Sequence, residues 1–312
     1  MILPIKKRIE QIEENADSPV LIGTYWQLVK RKFLRHRLAM FGLFSLIFVM
    51  FFSFVGPLFT NLSYEDMNLL ARFRPPFTLK EHPFGTDELG RDVLVRLMYG
   101  GRISLIVGLA ASLISTALGL AVGLVSGYFG GLLDRLLMRF VDVMLSIPLF
   151  PVLLILTMVF GPGMKNTIIV LSIFGWMGVS RLVRGVVLSL RESEYIMAAR
   201  VLGTSKVKVL FKHILPNVVP ITIVSMTLNL SYAILSESSL SYLGLGIQPP
   251  TPSWGNMLQR AMNYILTPTV TGRIAWWLIF FPGFMIFITV LSVNFVGDGL
   301  RDALDPRFVS EI

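Results

Sequence analysis

Long runs of apolar residues alternate with short polar segments along this chain of 312 residues. Five runs hold about twenty uncharged residues each, which is enough to cross about 30 Å of hydrocarbon at about 1.5 Å per residue. We therefore predict membrane-spanning helices within residues 38–59, 103–127, 143–160, 214–246 and 274–297.

A sixth apolar run, residues 166–190, carries Arg181 and Arg184 in its last third. Long cationic side chains near a helix end can extend to the membrane surface, so we count this run as a span. The span at 143–160 is expected to begin earlier, near Asp134, which would place Asp142 inside it. The pattern thus predicts an all-α polytopic membrane protein with six transmembrane helices.

Basic residues set the expected orientation of these spans. The run 30–37 is rich in lysine and arginine and precedes the first span, which favours a cytoplasmic N-terminus. Six spans then place both termini in the cytoplasm, residues 60–102 and 247–273 outside, and 191–213 inside. Of the 28 lysines and arginines, 19 fall on the predicted inner side and 9 on the outer side.

Composition agrees with a membrane protein, because 54% of the residues are hydrophobic and only 15% are charged. The absence of cysteine excludes disulfides, iron–sulfur clusters and thiolate zinc sites. The net charge of +9 could indicate nucleic acid binding, but basic cytoplasmic loops explain it better. No cleavable signal peptide is apparent, so the first apolar run is interpreted as a retained anchor.

These features divide the chain into five parts. Trp26, Leu28 and Val29 beside the basic run predict an interfacial helix, although a solvated leader is an equal alternative. The predicted parts are a cytoplasmic N-terminal segment (1–37), a first transmembrane anchor (38–59), an external loop (60–102), a five-helix membrane domain (103–300) and a cytoplasmic tail (301–312).

No phosphate-binding loop, dinucleotide fingerprint, zinc-protease motif or nucleophile elbow occurs in the sequence. We therefore expect no catalytic residue, no metal site and no cofactor bound by this chain. Asp142 and Glu237 are the main acidic residues at membrane depth, and a secondary carrier could use such groups. Structural pairing is the favoured interpretation of both residues, with Arg139 or Arg181 as the expected partner of Asp142.

The segment 191–216 is a basic amphipathic loop with a central glycine, between two apolar runs. Glu194 falls near a helix start, where a carboxylate complements the helix dipole. Gly203 permits a sharp turn, and Ser205 can cap a second short helix. We predict two short helices held at an angle against the membrane, with a plain interfacial hairpin as the alternative. The apolar face of the second helix is expected to hold Val207, Leu210 and Phe211.

The same segment resembles the coupling loop of bacterial ABC importer permeases. Two alanines, a glycine four residues later and a Leu-Pro pair twelve residues further carry the resemblance, and Met197 stands where the family usually has glutamate. In that family the loop docks in a groove on the ATP-binding subunit. The resemblance implies that contact with this subunit involves Glu194, Met197, Ala198, Ala199, Gly203, Leu215 and Pro216.

Further segments resemble the C-type permeases of dipeptide, oligopeptide and nickel importers, and the likeness covers about residues 30–308. The segments that carry it are 82–92, 99–104, 237–246, 249–255 and 294–302. The resemblance implies the type I ABC importer permease fold, a bacterial or archaeal cell membrane, and transport of short peptides, with nickel complexes or oligosaccharides as alternatives. It also implies a second permease, two ATP-binding subunits that bind ATP and Mg, and an external solute-binding protein as partners.

Three smaller features have both a structural and a functional interpretation. Asp87, Arg91 and Asp92 either plug the outer end of the bundle or face the solute-binding protein. Thr86 or Asp87 is expected to cap a short helix, and Arg91 is expected to pair with a nearby carboxylate. Trp254 is predicted to be an interfacial aromatic in a stiff outer turn, with a gate or docking element as the alternative. A glycine stripe suits close helix packing, and a seam with a partner permease is a second possibility: Gly108, Gly119, Gly123 and Gly127.

Overall fold

The computed structural model describes residues 25–264 and 274–304. The predicted N-terminal segment up to residue 24, part of the outer connection (265–273) and the tail from 305 lie outside the described residues. The helices are α1 (Tyr25–Arg35), α2 (Arg37–Phe54), α3 (Val93–Phe129), α4 (Gly131–Ser146), α5 (Leu149–Phe160), α6 (Met164–Arg191), α7 (Glu194–Val201), α8 (Lys206–Tyr242), α9 (Trp254–Met262) and α10 (Trp277–Leu304).

Five of these helices, α2, α3, α6, α8 and α10, are long and apolar enough to cross a membrane. The pair α4 and α5 meets the same test together and counts as a sixth span if the two helices cross as one. The described residues thus contain five or six candidate spans, in agreement with the predicted all-α membrane fold.

The third predicted span is not the single helix that we expected, because α4 and α5 meet at an angle of 90°. Ile147 ends α4 in an extended conformation, and Pro148 follows it. Proline cannot donate a backbone hydrogen bond and disfavours helical geometry at the preceding residue, so the chain turns at this point.

Helix α3 is longer than predicted and begins at Val93 rather than near residue 103. The Asp92 side chain accepts a hydrogen bond of 2.7 Å from the Val95 backbone N–H and fixes this start. At about 1.5 Å per residue, its 37 residues measure about 55 Å, which exceeds the hydrocarbon thickness. One or both ends of α3 therefore project beyond the apolar layer.

The two ends of α3 define the two ends of the bundle. At its N-terminal end, here called the top, lie residues 56–92 and α9. At its C-terminal end, here called the base, Arg191 of α6 and Arg200 of α7 contact Tyr128. The candidate sites described below fall at these two ends.

The glycine stripe forms the seam between α3 and α6, the most extensive helix contact in the described structure. A Cβ added at Gly119, Gly123 or Gly127 would lie within 2.8 Å of Val179, Val183 or Val187 of α6. Gly108 packs against Ile234 of α8 instead. The predicted close packing is confirmed, and the seam lies within the chain rather than against a partner.

Helix α1 ends at Arg35, and the ring of His36 accepts the Ala39 backbone N–H at 3.0 Å to cap α2. Trp26 is exposed and Val29 is buried, so α1 presents one side to the bundle, where it packs against α10. The predicted helix in the N-terminal segment is present from Tyr25. Its position at a membrane interface stays a prediction.

Candidate functional site

The predicted coupling loop forms a helical hairpin at the base. Helix α7 starts at Glu194 and ends before Gly203, whose φ of +79° lies in the left-handed region that glycine favours. The Ser205 hydroxyl then accepts the Lys208 backbone N–H at 3.4 Å, which confirms the predicted cap. The first half of the loop therefore folds as its sequence indicates.

The second half does not form a separate short helix, which corrects the prediction. Helix α8 starts at Lys206 and runs without a break to Tyr242, through a π-helical turn at Leu210–Ile214. The Leu215 backbone N–H bonds to the Leu210 carbonyl, and Pro216, which has no N–H, follows it. A wide turn just before proline lets the helix continue where a regular hydrogen bond is lost.

A buried apolar cluster anchors this hairpin to the ends of α3 and α6. Ile196, Val209 and Ile214 are inaccessible to solvent and pack with Leu124 and Val187. The three apolar residues of the second helix do not share one face as predicted, because Leu210 is buried whereas Val207 and Phe211 are exposed. Which residues face the core is set by the register of α8, because the hairpin's second half is the first part of that long helix.

Large apolar side chains also cover the outer side of the hairpin. Val201 and Leu202 are 87% and 84% exposed, the least buried apolar residues of this segment. Such exposure on a well-anchored element is typical of a protein contact surface. We call this set the apolar crest; it consists of Tyr195, Met197, Val201, Leu202, Val207 and Phe211.

The residues predicted to contact an ATP-binding subunit lie in and beside this crest. Met197 is half exposed, Glu194, Ala198, Gly203 and Pro216 are exposed, and Ala199 and Leu215 are half-buried. No heavy atom of the described chain lies within 4 Å of a Cβ added at Gly203, and Ala198 is exposed, so a partner could approach both residues closely. Their contact with a partner stays a prediction, and the crest adds Val201, Leu202, Val207 and Phe211, which the motif alone did not indicate.

A buried charged corner joins α3, α4 and α6 near the base. Arg184 donates from Nε and Nη2 to the two carboxylate oxygens of Asp134 at 2.5 and 2.6 Å. The Ser126 hydroxyl donates to the same carboxylate. The structure thus gives Arg184 a carboxylate partner within the chain, and its position relative to the membrane surface stays a prediction. Sequence reasoning placed Asp134 at a span start but did not pair it, because the two residues lie 50 positions apart.

Asp142 also pairs with α6, through the guanidinium of Arg181. Of the two predicted partners, Arg181 is the one that the structure brings to Asp142. Both side chains are about half exposed, so this pair lies on the surface of the single chain. With the carboxylate already neutralised by a cation, the geometry favours structural pairing over an ion-binding site.

At the top, the predicted docking residues are buried in a charged network. Arg91 donates to Asp87 at 2.7 Å and to Glu88 at 2.9 Å, and Arg260 of α9 donates to Glu88 at 2.7 Å. Arg96 lies 3.6 Å from Asp87. The network ties residues 87–96 to α9, so it holds the outer loop on the bundle. The expected pairing of Arg91 is confirmed.

Two further side chains at the top, those of Asp92 and Trp254, are placed differently from their predicted roles. Asp92, rather than Thr86 or Asp87, caps the following helix, and it also contacts the His82 ring at 2.8 Å. Trp254 is 0% exposed and donates from its indole N–H to the Leu97 carbonyl at 3.1 Å, so it is not an interfacial aromatic. Because Asp87, Arg91, Asp92 and Trp254 are all buried within the chain, their side chains support the outer surface rather than form it.

Glu237 of α8 is fully buried in a cluster of hydroxyl groups. Ser104 and Ser241 donate to its two carboxylate oxygens at 2.8 and 2.7 Å. The same hydroxyls accept the backbone N–H groups of Trp254 and Ile247 at 3.3 and 3.0 Å. Glu237 therefore fastens residues 247–254 to α3 and α8, as the structural interpretation predicted.

This geometry predicts different effects for two substitutions at Glu237. Glu237→Gln keeps an oxygen and the side-chain shape, so transport should remain near that of the wild type. Glu237→Leu leaves several buried polar groups without partners and should destabilise the chain by about 2–3 kcal/mol. Thermal unfolding and uptake assays check both, with Ser225→Ala on the same helix as a mild control, because the Ser225 hydroxyl donates to the Ile221 carbonyl of its own helix. Equal loss of transport in both variants with unchanged stability would instead indicate a proton-carrying carboxylate.

Comparison with known proteins agrees with this architecture. Residues 119–310 match the family model described as "binding-protein-dependent transport system inner membrane component". Residues 24–76 match the model of the N-terminal transmembrane domain of oligopeptide transport permease C. The predicted resemblance to C-type permeases is confirmed over both parts of the chain.

Individual relatives cover nearly the whole chain. The dipeptide transport system permease protein DppC of Bacillus subtilis is 42% identical over 284 residues, which span 91% of this chain and 86% of the relative. The oligopeptide transport system permease protein OppC of Escherichia coli K12 is 39% identical over 303 residues, or 97% and 98% of the two chains.

A solved structure shows the same fold at low sequence identity. A chain of the inward-facing MetNI methionine ABC transporter aligns with a TM-score of 0.54 and 20% identity, over 67% of this chain and 96% of its own. The predicted importer permease fold is thereby confirmed. From the family models and these relatives together, the chain belongs to the family of binding-protein-dependent transport system inner membrane components, the permeases of ABC importers.

Proposed function

We propose that this chain is the C-type permease subunit of an ATP-driven importer of dipeptides or oligopeptides. The names of the relatives support this substrate class, because the two quoted above are permeases of dipeptide and oligopeptide systems. Nickel complexes and oligosaccharides, which the sequence resemblance left open, have no such support among them. The secondary-carrier alternative is set aside, because Asp142 and Glu237 both make structural contacts.

The observation that carries the proposal is the apolar crest on a rigid base. Ile196 and Val209 hold the hairpin in the core, while Val201 and Leu202 face outward. A partner that binds this surface can move the hairpin as one body, because its inner side is buried in an apolar cluster with α3 and α6. An ATP-binding subunit is the partner that this geometry and the family suit best.

The unbroken path from Lys206 to Tyr242 supplies a route for the motion. A shift at the crest would tilt α8, and α8 carries Glu237, which fastens residues 247–254 at the top. Closure of the motor subunits at the base would thereby change the arrangement of the top. In this mechanism the chain transmits motion and performs no chemistry itself.

The proposal assigns the remaining roles to partners. A second, similar permease would complete the path, two ATP-binding subunits would bind ATP and Mg, and an external solute-binding protein would deliver the substrate. With the crest in the cytoplasm, both termini are cytoplasmic, and the basic segment beside α2 supports this orientation. A bacterial or archaeal cell membrane is the proposed location.

An open groove beside α8 is the proposed contribution to the path. It has a volume of about 450 Å³ and combines apolar walls with hydroxyl groups. Such a surface binds peptides of varied side chains weakly, which suits passage rather than selection. Its walls are Phe150, Leu235, Ser238, Ser239, Tyr242, Leu243, Leu258 and Ile286.

The crest is tested by removing its two most exposed apolar side chains. Val201→Ser combined with Leu202→Ser should lower recovery of the ATP-binding subunit with the tagged chain by about ten-fold or more, since each buried apolar side chain contributes about 1.5–3 kcal/mol. Purification from gently solubilised membranes, followed by quantification of the ATP-binding subunit, measures this. Leu70→Ser, at an equally exposed leucine of the top, is the matched control.

The chain has no native cysteine, so a single Leu202→Cys gives an unambiguous crosslinking site. A crosslink from this position to the ATP-binding subunit supports docking at the crest. Undiminished recovery in the serine variant, together with no crosslink, would show that the crest is not the docking surface.

A further inference from the structure

A cleft of about 600 Å³ opens at the base beside the apolar crest. It lies between the end of α3, the end of α6 and α7. Its volume falls within the range of small-molecule sites, about 300–1,000 Å³. The lining residues are Tyr128, Phe129, Arg191, Glu192, Met197, Arg200, Thr204 and Lys206.

The charges of this cleft favour an anion. Arg191, Arg200 and Lys206 oppose the single carboxylate of Glu192. Arg191 touches the carbonyl oxygens of Gly127 and Tyr128 through one terminal nitrogen, at 3.4 and 3.5 Å. These contacts are long, so the other N–H groups of Arg191 can turn toward a ligand.

An aromatic contact and exposed apolar side chains adjoin the cations of the cleft. The Arg200 guanidinium lies 5.3 Å from the centre of the Tyr128 ring, which orients its charge over the end of α3. Phe129 is half exposed, and the next residues of the chain expose the apolar side chains of Leu132 and Leu133. Cations thus lie next to an exposed apolar surface, an arrangement that suits a phospholipid headgroup and its acyl chains.

The cleft is separate from the part of the crest that is proposed to dock the motor subunit. Val201, Leu202, Val207 and Phe211 do not line it, and Met197 is the residue that the two share. An occupant of the cleft can therefore be present while the crest is engaged. Arginine pairs with phosphate through parallel N–H groups, so Arg191 and Arg200 suit a phosphodiester.

We propose that this cleft binds the phosphate headgroup of an anionic phospholipid, and that the bound lipid joins α7 to the ends of α3 and α6. The proposal rests on the proposed function only for assigning the cleft to the cytoplasmic leaflet. The binding chemistry depends on Arg191, Arg200 and Lys206, which are not the docking side chains of the crest.

The test uses the full chain in a mild detergent with three probes: phosphatidylglycerol, phosphatidylcholine and inorganic phosphate. Phosphatidylglycerol should raise the melting temperature and remain bound in native mass spectra, whereas the other two should do neither. Arg191→Gln with Arg200→Gln should weaken phosphatidylglycerol binding by about 30-fold, since each basic residue near a membrane surface contributes about 1 kcal/mol.

Lys208→Gln with Lys212→Gln is the matched control, because it removes two exposed cations of the same segment that do not line the cleft. It should bind phosphatidylglycerol like the wild type. Arg191→Lys with Arg200→Lys keeps the charge but loses the paired N–H geometry, so it should retain part of the affinity, which separates lost binding from lost folding.

Equal weakening in the cleft and control variants would overturn the proposal, because binding would then depend on net charge alone. Wild-type affinity for phosphatidylcholine or inorganic phosphate equal to that for phosphatidylglycerol would overturn it as well. Displacement of phosphatidylglycerol by the ATP-binding subunit would assign the cleft to that protein instead. Loss of recovery of the ATP-binding subunit from crest variants, with lipid binding intact, would separate the two hypotheses.

Discussion

Replacing Gly123 with valine should force the two central helices apart and destabilise the chain by about 3 kcal/mol. A Cβ at this position would lie 2.7 Å from the Ser180 carbonyl oxygen and 2.7 Å from the Val183 Cβ. Backbone atoms cannot move aside as a flexible side chain can, and valine adds two more carbons. We expect the melting temperature of the purified chain to fall by about 5–10 °C.

Gly185→Ala on the facing helix is the matched control. Gly185 is exposed within α6, and a Cβ there would have no heavy atom within 4 Å. Alanine favours helix over glycine by up to about 1 kcal/mol, so this change should leave stability equal or slightly higher. If the Gly123→Val and Gly185→Ala variants had the same melting temperature, the α3–α6 seam would not be a close contact.

The features that could be predicted from the sequence depend on short-range chemistry. Apolar runs predicted the spans, the glycine stripe predicted close packing, and Ser205 predicted the cap of the second helix of the hairpin. The same holds for Arg91, whose partners Asp87 and Glu88 lie within four positions. In each case the residue and its partner are neighbours in the chain or repeat at a helical period.

The features that could not be predicted depend on tertiary placement. Asp134 and Arg184 lie 50 positions apart, and only the crossing of α4 and α6 brings them together. Trp254 at the end of a proline-rich turn has the composition of an interfacial residue, but α9 folds inward and buries it. For the hairpin, apolar spacing indicated one face of a short helix, whereas the register of α8 decided which side chains became buried.

The α3–α6 seam, the charged corner and α7 meet at the base. The α3–α6 seam ends at Gly127, beside the charged corner of Asp134 and Arg184, and just above the buried Ile196 of α7. A displacement of α7 therefore meets a corner that is fixed by both packing and charge. In the proposed mechanism, such a corner would limit local bending at the base when the crest moves.

Arg184→Gln is accordingly expected to weaken both stability and coupling. The change removes the two charged N–H contacts of 2.5 and 2.6 Å and leaves Asp134 with the Ser126 hydroxyl. Breaking a well-buried pair by removing one partner costs about 3–5 kcal/mol, and we expect about 2–3 kcal/mol because Arg184 is about one-third exposed. Thermal unfolding of the chain and substrate-stimulated ATP hydrolysis by the assembled transporter measure the two effects.

Arg139→Gln, which removes an exposed arginine from α4, should change stability by less than about 0.5 kcal/mol. Arg184→Lys keeps the charge but loses the paired N–H geometry, so it should recover only part of the loss.

A double-mutant cycle of Asp134→Asn with Arg184→Gln isolates the pair from the rest of the corner. A coupling energy near zero would mean that seam packing alone holds the base. A loss of stimulated hydrolysis beyond the loss of stability would identify the Asp134–Arg184 pair as part of the transmission between motor and membrane path.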